Sequence, residues 1–251
     1  MNITTKIRGK RFFTGCKPRI TRLGEKFPIF GGVGTNTPDP MTDAELAEYA
    51  DNSMLSYHWH TINQAHQGTC CICAGCGAVM LCREQMGLER VILSQGSLYA
   101  FDYIDSRGNL VPRRSDNGQA IDTCLELFRE VGACPTSVID QYDWKGYSRG
   151  TWPSDWRETA KKYRILEAWD VPSARHGLTA VALGYGFIYG LRSHAVVHIS
   201  QEDDLNSWGY DWGTDGIGKW AESMQDLDNG ISQYGGWAVR LSVDPSNDSD
   251  V

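Results

Sequence analysis

The sequence lacks any hydrophobic run long enough to cross a lipid bilayer. Its most apolar stretch without a charge, residues 177–191, spans 15 positions, whereas a membrane-spanning helix needs about 20. The first 30 residues also lack an apolar segment of signal-peptide length after their basic start. We therefore predict that residues 177–191 form a buried strand and that no membrane is bound. We expect a location in the cytoplasm or within a larger intracellular or viral assembly.

The composition also lacks the features of a disordered or repetitive chain. Charged residues make up 22% and hydrophobic residues 41% of the 251 positions, which allows one domain, or two closely joined halves, around a sizeable core. Glycine and proline accumulate before residue 41, where no periodic apolar pattern is present. We predict an extended basic arm over residues 1–45 and a folded domain over residues 46–251.

Acidic residues are almost absent from the first 26 positions. This segment holds eight lysines and arginines against Glu25 alone, although the whole chain carries a net charge of -7. Such an arm could dock on a separate partner, or it could lie along its own acidic domain. We do not expect nucleic acid to be that partner.

The eight cysteines are not spread in the manner of a disulfide framework. Five of them crowd together at Cys70, Cys71, Cys73, Cys76 and Cys82, on what we predict to be one helix, where they cannot cross-link distant parts of the chain. We expect free thiols in a reducing compartment. The spacing of three residues between Cys70, Cys73 and Cys76 also suits a zinc or iron–sulfur site. However, no second Cys or His pair is evident, so we expect no metal and no cofactor. Cys73 and Cys76 are then core residues.

Periodicity predicts helices in the first part of the domain and a sheet in the last. Apolar spacing indicates a helix from Thr69 to Gly87 and another from Ile121 to Gly132. Residues 178–199 are rich in Val, Ala, Leu and Ile, as strands are. The expected fold class is α+β. A capping box at residues 42–45 predicts a short helix lined by Leu46, Tyr49 and Met54.

Cys70 lies where the chemistry of a nucleophile is favoured. A helix N-terminus and a neighbouring imidazolium both stabilise a thiolate near neutral pH. Gly68 lets the backbone amide of Cys70 point toward a developing oxyanion, and Gln64 is placed to add a second donor. Taken alone, Cys70 would be a buried small residue and His194 a core histidine.

Taken together, these residues resemble the active-site segments of the papain-like cysteine peptidases. Gln64, Gly68 and Cys70 have the spacing of that family's nucleophile segment, and Ser193-His194-Ala195-Val196-Val197 resembles its histidine strand. Residues 206–213, Asn-Ser-Trp-Gly-Tyr-Asp-Trp-Gly, match its Asn-Ser-Trp-Gly-x-x-Trp-Gly motif. The resemblance runs from about Gln64 to Val239. It implies a two-part fold, in which a cleft separates a helical half with a central nucleophile helix from an antiparallel sheet or barrel half.

The resemblance also implies an activity, the hydrolysis of peptide bonds in a peptide or protein substrate through a thioacyl-enzyme. Cys70 would be the nucleophile, His194 its base and Asn206 the residue that orients His194. Gln64 would be an oxyanion donor. Trp208 would shield the hydrogen bond between His194 and Asn206 from water, which strengthens it.

By the same resemblance, three residues would bind substrate: Gly118, Ala195 and Trp208. Gly118 would pair with the substrate backbone, and Ala195 would lie at the floor of a pocket for an apolar side chain two residues before the cut. The aromatic residues from Trp208 to Trp220 could also stack on carbohydrate or nucleic acid, but the motif favours core packing and cleft wall. The other tryptophans, Trp59 among them, are expected to pack.

Several positions depart from the family pattern. Cys71 stands where tryptophan is usual and Gln67 where a disulfide-forming cysteine is usual, and the interval from His194 to Asn206 is short. No inhibitory propeptide is recognisable, although residues 1–60 could cover the cleft.

Two alternative functions therefore remain open. One is a structural or binding component of a larger assembly, such as a virion protein, and the other is acyl transfer or amidase chemistry on a non-protein amide.

Overall fold

A buried helix runs through the centre of the molecule. Helix α2 spans Cys70–Gln85, and every residue from Cys70 to Cys82 is buried. Gly75 allows this packing, since a side chain there would collide with the ring of Phe128. Gly87, with φ of +69°, follows the end of the helix, as a left-handed glycine commonly does. The predicted helix is thereby confirmed almost to the residue.

The computed structural model describes residues 3–7, 10–49 and 60–241, with side chains from Phe13 onward. Met54 and Trp59 lie outside these ranges. The described residues form eight helices: α1 Asp43–Glu48, α2 Cys70–Gln85, α3 Gln95–Tyr99, α4 Ile121–Glu130, α5 Trp144–Ser148, α6 Trp156–Lys161, α7 Ala174–Ala182 and α8 Met224–Tyr234. They also form ten strands: β1 Ile3–Ile7, β2 Lys10–Thr14, β3 Phe101–Ile104, β4 Leu110–Pro112, β5 Glu167–Asp170, β6 Gly186–Leu191, β7 His194–His198, β8 Asp204–Leu205, β9 Ile217–Gly218 and β10 Gly236–Arg240.

A six-stranded antiparallel sheet forms the second half of the fold. Its strand order is β5-β10-β6-β7-β8-β9. Helix α2 packs against β6 and β7, and the residues of β7 alternate between its two faces. Ala195 and Val197 join the core shared with α2 and α4, whereas Val196 joins a second core with Trp208 and Trp220. The expected α+β arrangement is confirmed, with helices and sheet meeting at α2.

The prediction of a strand over residues 177–191 is half wrong. Ala174–Ala182 is helix α7, and only Gly186–Leu191 is strand. A continuous apolar run does not distinguish a buried strand from a buried helix by periodicity. Here Gly177 faces the ring of Phe187 so closely that a side chain would not fit, and the helix therefore packs directly on the strand that follows it. Within the described ranges, no helix combines the length and apolarity that a membrane span requires.

The described part of the arm is folded onto the domain. Strands β1 and β2 form a hairpin, and beyond it Phe27 and Phe30 are buried. Full burial of a side chain of this size stabilises a fold by roughly 1.5–3 kcal/mol. The predicted arm therefore contains core residues, which the sequence does not reveal because two isolated aromatics form no periodic pattern.

The basic residues of the arm meet acids of the domain. Arg19 pairs with Asp170 at 2.7 Å, and Lys26 pairs with Glu126 at 2.7 Å. Of the two roles left open for the arm, contact with its own acidic domain is the one the structure shows. The capping box also forms: Thr42 caps α1, with the side chain and backbone bonds to Glu45 both present.

Candidate active site

A tight hairpin places His194 at the start of β7. Its two turn residues, Arg192 and Ser193, have φ of 53° and 62°, values that few non-glycine residues adopt but that suit a two-residue hairpin. Strand β8 pairs with β7, and Asn206 directly follows it. The short connection between the two strands, noted in the sequence, is a turn in which the Ser200 hydroxyl accepts from the amide of Asp203 at 2.8 Å.

His194 and Asn206 form a buried hydrogen bond. Nε2 of the imidazole lies 2.7 Å from Oδ1 of Asn206. That oxygen also accepts from the amide of Ser207 at 2.7 Å, so it is the acceptor and Nε2 carries the proton. In the neutral imidazole, Nδ1 is then left as the basic nitrogen.

Trp208 and Trp220 enclose this pair. The ring of Trp208 stacks on His194 at 4.1 Å between centroids, and Trp220 meets His194 edge-on at 5.7 Å. Both tryptophans are buried. The hydrogen bond between His194 and Asn206 therefore lies in a largely dry environment, in which such bonds are electrostatically stronger.

Cys70 is the first residue of α2 and is fully buried. Burial raises the pKa of the Cys70 thiol well above its ordinary value, and the contact with Cys71 raises it further, whereas the hydrogen bond and charge of His194 lower it. Nδ1 of His194 makes no hydrogen bond of normal geometry among the described residues. The imidazole therefore lies near enough to affect the pKa of the thiol, although its Nδ1 is not hydrogen-bonded to it with normal geometry. The thiolate predicted near neutral pH is not favoured in this buried arrangement.

Gln64 is fully buried beside these groups. Its side-chain Nε2 donates to the carbonyl oxygens of Gln67 at 2.8 Å and Phe13 at 3.1 Å, and its Oε1 accepts from the hydroxyl of Ser207 at 2.6 Å. Ser207 follows Asn206 in the chain, so Gln64 is held by the same motif that holds His194. The structure thus brings together Gln64, Cys70, His194 and Asn206.

The arm fills the cleft in front of these residues. We call residues 13–17 the cleft segment. The carbonyl oxygen of Phe13 accepts from Nε2 of Gln64 and also from Nε1 of Trp208 at 2.9 Å. The carbonyl of Ser193, just before His194, accepts from the amides of Gly15 at 3.1 Å and Cys16 at 2.9 Å.

The opposite side of the cleft binds the same segment through Gln119. The amide of Gln119 donates to the carbonyl of Gly15 at 2.8 Å, and its carbonyl accepts from Lys17 at 3.0 Å. Cys16 and Gln119 form an isolated parallel bridge. Sequence reasoning missed Gln119, although its position next to the Asn-Gly pair at 117–118 was an available signal.

Gly118, predicted to pair with a substrate backbone, does not offer its backbone to the cleft. Its amide donates to the Tyr99 hydroxyl at 3.1 Å, and its carbonyl accepts from Arg113 at 3.1 Å. Its φ is +72°, and a side chain here would collide with Gly15. Gly118 therefore allows close approach, while Gln119 supplies the edge.

Ala195 also differs from its predicted place. It lines a small cavity of about 10 Å³ together with Cys73 and Ala74 of α2. Successive residues of a strand point to opposite faces, so Ala195 and His194 occupy different sides of the sheet. The structure therefore gives Ala195 a packing position between sheet and helix.

The departures from the family pattern have local partners. Cys71 donates from Sγ to the carbonyl of Gln119 at 3.1 Å, and the Gln67 side chain donates to the carbonyl of Tyr142 at 2.9 Å. All eight cysteines are buried free thiols, and Cys73 and Cys76 are core residues. No cluster of three or more His, Cys, Asp or Glu suited to a metal ion occurs in the described part of the chain.

The central helix, the antiparallel sheet and the residues between them define the papain-like fold of the cysteine proteases. Xylellain, a cysteine protease from Xylella fastidiosa, aligns with a TM-score of 0.69 at 17% identity, over 92% of this chain and 96% of its own. Digestive procathepsin L 3 of Tenebrio molitor aligns at 0.58 and 14%, over 86% and 75%. Procathepsin B S9 from Trypanosoma congolense aligns at 0.56 and 12%, over 92% and 87%. Neither a family model nor a curated protein matched the sequence.

Proposed function

We propose that the chain is a cysteine peptidase that uses Cys70, His194 and Asn206. The observation that carries this proposal is the 2.7 Å hydrogen bond from His194 to Asn206. This bond fixes the tautomer of His194 in which Nδ1 is the basic nitrogen. The same ring is close enough to Cys70 to lower the pKa of its thiol. An inert scaffold of this fold would have no need for that arrangement.

The reaction follows from these positions. Nδ1 of His194 takes the proton of the Cys70 thiol, and the sulfur attacks the carbonyl carbon of the scissile peptide bond. The oxyanion is stabilised by the side-chain amide of Gln64 and the backbone amide of Cys70. The imidazolium protonates the leaving amine, and the C–N bond breaks to leave a thioester. His194 then takes a proton from water, which attacks the thioester and releases the acid and the thiol.

In the arrangement with the cleft filled, we propose that the peptidase is latent. The Phe13 carbonyl occupies the Gln64 donor that an oxyanion would need, and backbone bonds on both sides of the cleft hold Gly15 and Cys16. A substrate must displace this segment before it can reach Cys70. Two of the similar structures carry proenzyme names, procathepsin L 3 and procathepsin B S9, which supports a covered state in this fold.

Incubation with a mixture of peptides tests the activity directly. The protein is mixed with peptides from a digested proteome, and newly formed termini are identified by mass spectrometry. We expect new termini that are absent from a Cys70→Ser sample. Transfer of acyl groups to added amines without hydrolysis would instead support the acyl-transfer alternative. The absence of both products, after the arm has been displaced, would contradict the proposal.

The variant Gln64→Ala is expected to lower kcat/KM for a cleaved peptide by about 10²- to 10³-fold, the loss typical of one oxyanion donor. The loss should fall mainly on kcat, because the donor acts on charge that develops in the transition state. Gln67→Ala is the matched control, since the Gln67 side chain donates to Tyr142 instead. A Gln64→Ala protein that folds and keeps the kcat of the wild type would exclude Gln64 from the oxyanion site.

The buried thiol predicts a distinct pH dependence. Because burial raises the pKa of Cys70, and only the thiolate is alkylated, the alkylation rate should continue to rise with pH above neutrality. His194 lowers this pKa, so His194→Ala should move the profile to still higher pH. Iodoacetamide labelling with fragment-ion assignment to Cys70 measures this. A plateau near neutral pH in the wild type would show that the thiolate is already formed in the covered state.

A further inference from the structure

One carboxylate oxygen joins the loop before Cys70 to the opposite wall of the cleft. Oδ1 of Asp116 accepts from the amide of Gly68 at 2.8 Å and from the hydroxyl of Tyr99 at 2.6 Å. A Cβ atom at Gly68 would lie 2.9 Å from both Asp116 Oδ1 and the Tyr99 oxygen. A side chain at position 68 would therefore disturb this contact, which fixes a peptide group two residues before Cys70.

Tyr99 links Asp116 to the cleft wall by a further hydrogen bond. Its hydroxyl oxygen accepts from the amide of Gly118 at 3.1 Å, the residue before Gln119. Burial raises the pKa of the Tyr99 hydroxyl well above its ordinary value, so it remains a donor to Asp116 at any pH at which the protein is studied.

Arg113 is bonded to both Tyr99 and Gly118 and so fixes their relative positions. The guanidinium is fully buried, lies 3.9 Å over the Tyr99 ring and donates to the carbonyls of Tyr99 at 2.7 Å and Gly118 at 3.1 Å. Three elements thus meet: the nucleophile loop, α3 with its Tyr99, and the edge that binds the cleft segment through Gln119. Asp116 is their only link to Gly68 among the described hydrogen bonds.

We propose that Asp116 is a positioning residue for Cys70. By accepting from Gly68 and Tyr99 together, it fixes the distance between the nucleophile loop and the wall at Gln119. The hydrogen-bonded carboxylate braces the loop against this wall. This inference rests on the proposed role of Cys70 as nucleophile.

Asp116→Ala removes both hydrogen bonds, whereas Asp116→Asn keeps an oxygen that can accept them. A misplacement of about 1 Å can cost about 10²-fold in rate. We therefore expect Asp116→Ala to lower kcat by at least about tenfold with a smaller change in KM. Asp116→Asn should retain most of the rate, whereas Asp116→Leu, which fills a similar space but accepts no hydrogen bond, should lose about as much as Asp116→Ala.

Asp105→Ala is the matched control. Its carboxylate also accepts two backbone amides, from Arg107 and Asn109, but in an exposed hairpin turn. We expect it to leave kcat unchanged.

Two readouts that need no substrate separate this inference from the proposed function. Iodoacetamide labelling reports the reactivity of Cys70, and hydrogen exchange of the segment around Gly68 reports the loop. Slower labelling and faster exchange in Asp116→Ala, with near-normal values in Asp116→Asn, support the positioning role even if no peptide is cleaved. Wild-type labelling and exchange in Asp116→Ala would overturn it, while loss of activity in Cys70→Ser would leave the proposed function intact.

Discussion

The variant Cys16→Glu is expected to cleave peptides at least about tenfold faster than the wild type. The side chain of Cys16 is buried in the core shared with α2, and the charge of Asp122 acts on it. Burying an unpaired carboxylate costs several kcal/mol, and each 1.4 kcal/mol shifts an equilibrium about tenfold. The glutamate is therefore expected to drive the cleft segment into solvent and expose Cys70.

Val33→Glu is the matched control for this change. It adds the same charge to the same arm at a fully exposed position, so its activity should equal that of the wild type. A synthetic peptide of residues 10–20, added in trans, should restore inhibition of Cys16→Glu. If Cys16→Glu stays folded and is no more active than Val33→Glu, the cleft segment does not hold the enzyme latent.

Replacement of Cys70 by serine is expected to abolish peptide cleavage, by at least about 10³-fold in the Cys16→Glu background. A serine hydroxyl is far harder to deprotonate than a thiol and has no preformed charge to share with His194. Serine closely matches cysteine in shape, so the fold should persist. Rates are measured with a peptide found in the proteome digest, and thermal unfolding is measured in parallel.

The adjacent cysteine supplies the control. Cys71 is equally buried and lies on the same helix, but its Sγ donates to the carbonyl of Gln119. Cys71→Ser should keep activity within a few-fold, since a hydroxyl can make the same hydrogen bond. If Cys71→Ser abolished cleavage and Cys70→Ser retained it, our assignment of Cys70 as the nucleophile would be wrong.

The sequence was sufficient for the parts of the site that are local in the chain. The helix that begins at Cys70 ends at a left-handed glycine, and the motif at 206–213 carries its own hydrogen bonds to Gln64 and His194. Periodicity and spacing detect features of this kind because their contacts are encoded within a few turns or one motif.

The parts that the sequence did not predict depend on contacts between distant segments. The cleft segment binds Ser193, Gln119 and Gln64 mainly through its backbone, and backbone hydrogen bonds leave no side-chain pattern to recognise. The prediction that Gly118 pairs with substrate follows from the resemblance alone, and a resemblance does not show which of two neighbouring amides faces the cleft. The apolar run that includes helix α7 predicts a strand because a short run of this kind suits both structures.

The measurement that tests the central claim most directly is the site of covalent labelling by an epoxide affinity reagent for papain-like peptidases. Cys16→Glu is exposed briefly at neutral pH, with Cys16→Glu combined with His194→Ala as the comparison, and adducts are mapped by peptide mass spectrometry. Our account predicts a single adduct on Cys70 that His194→Ala prevents. Label spread over several cysteines in both proteins, or a Cys70 adduct unaffected by His194→Ala, would contradict it.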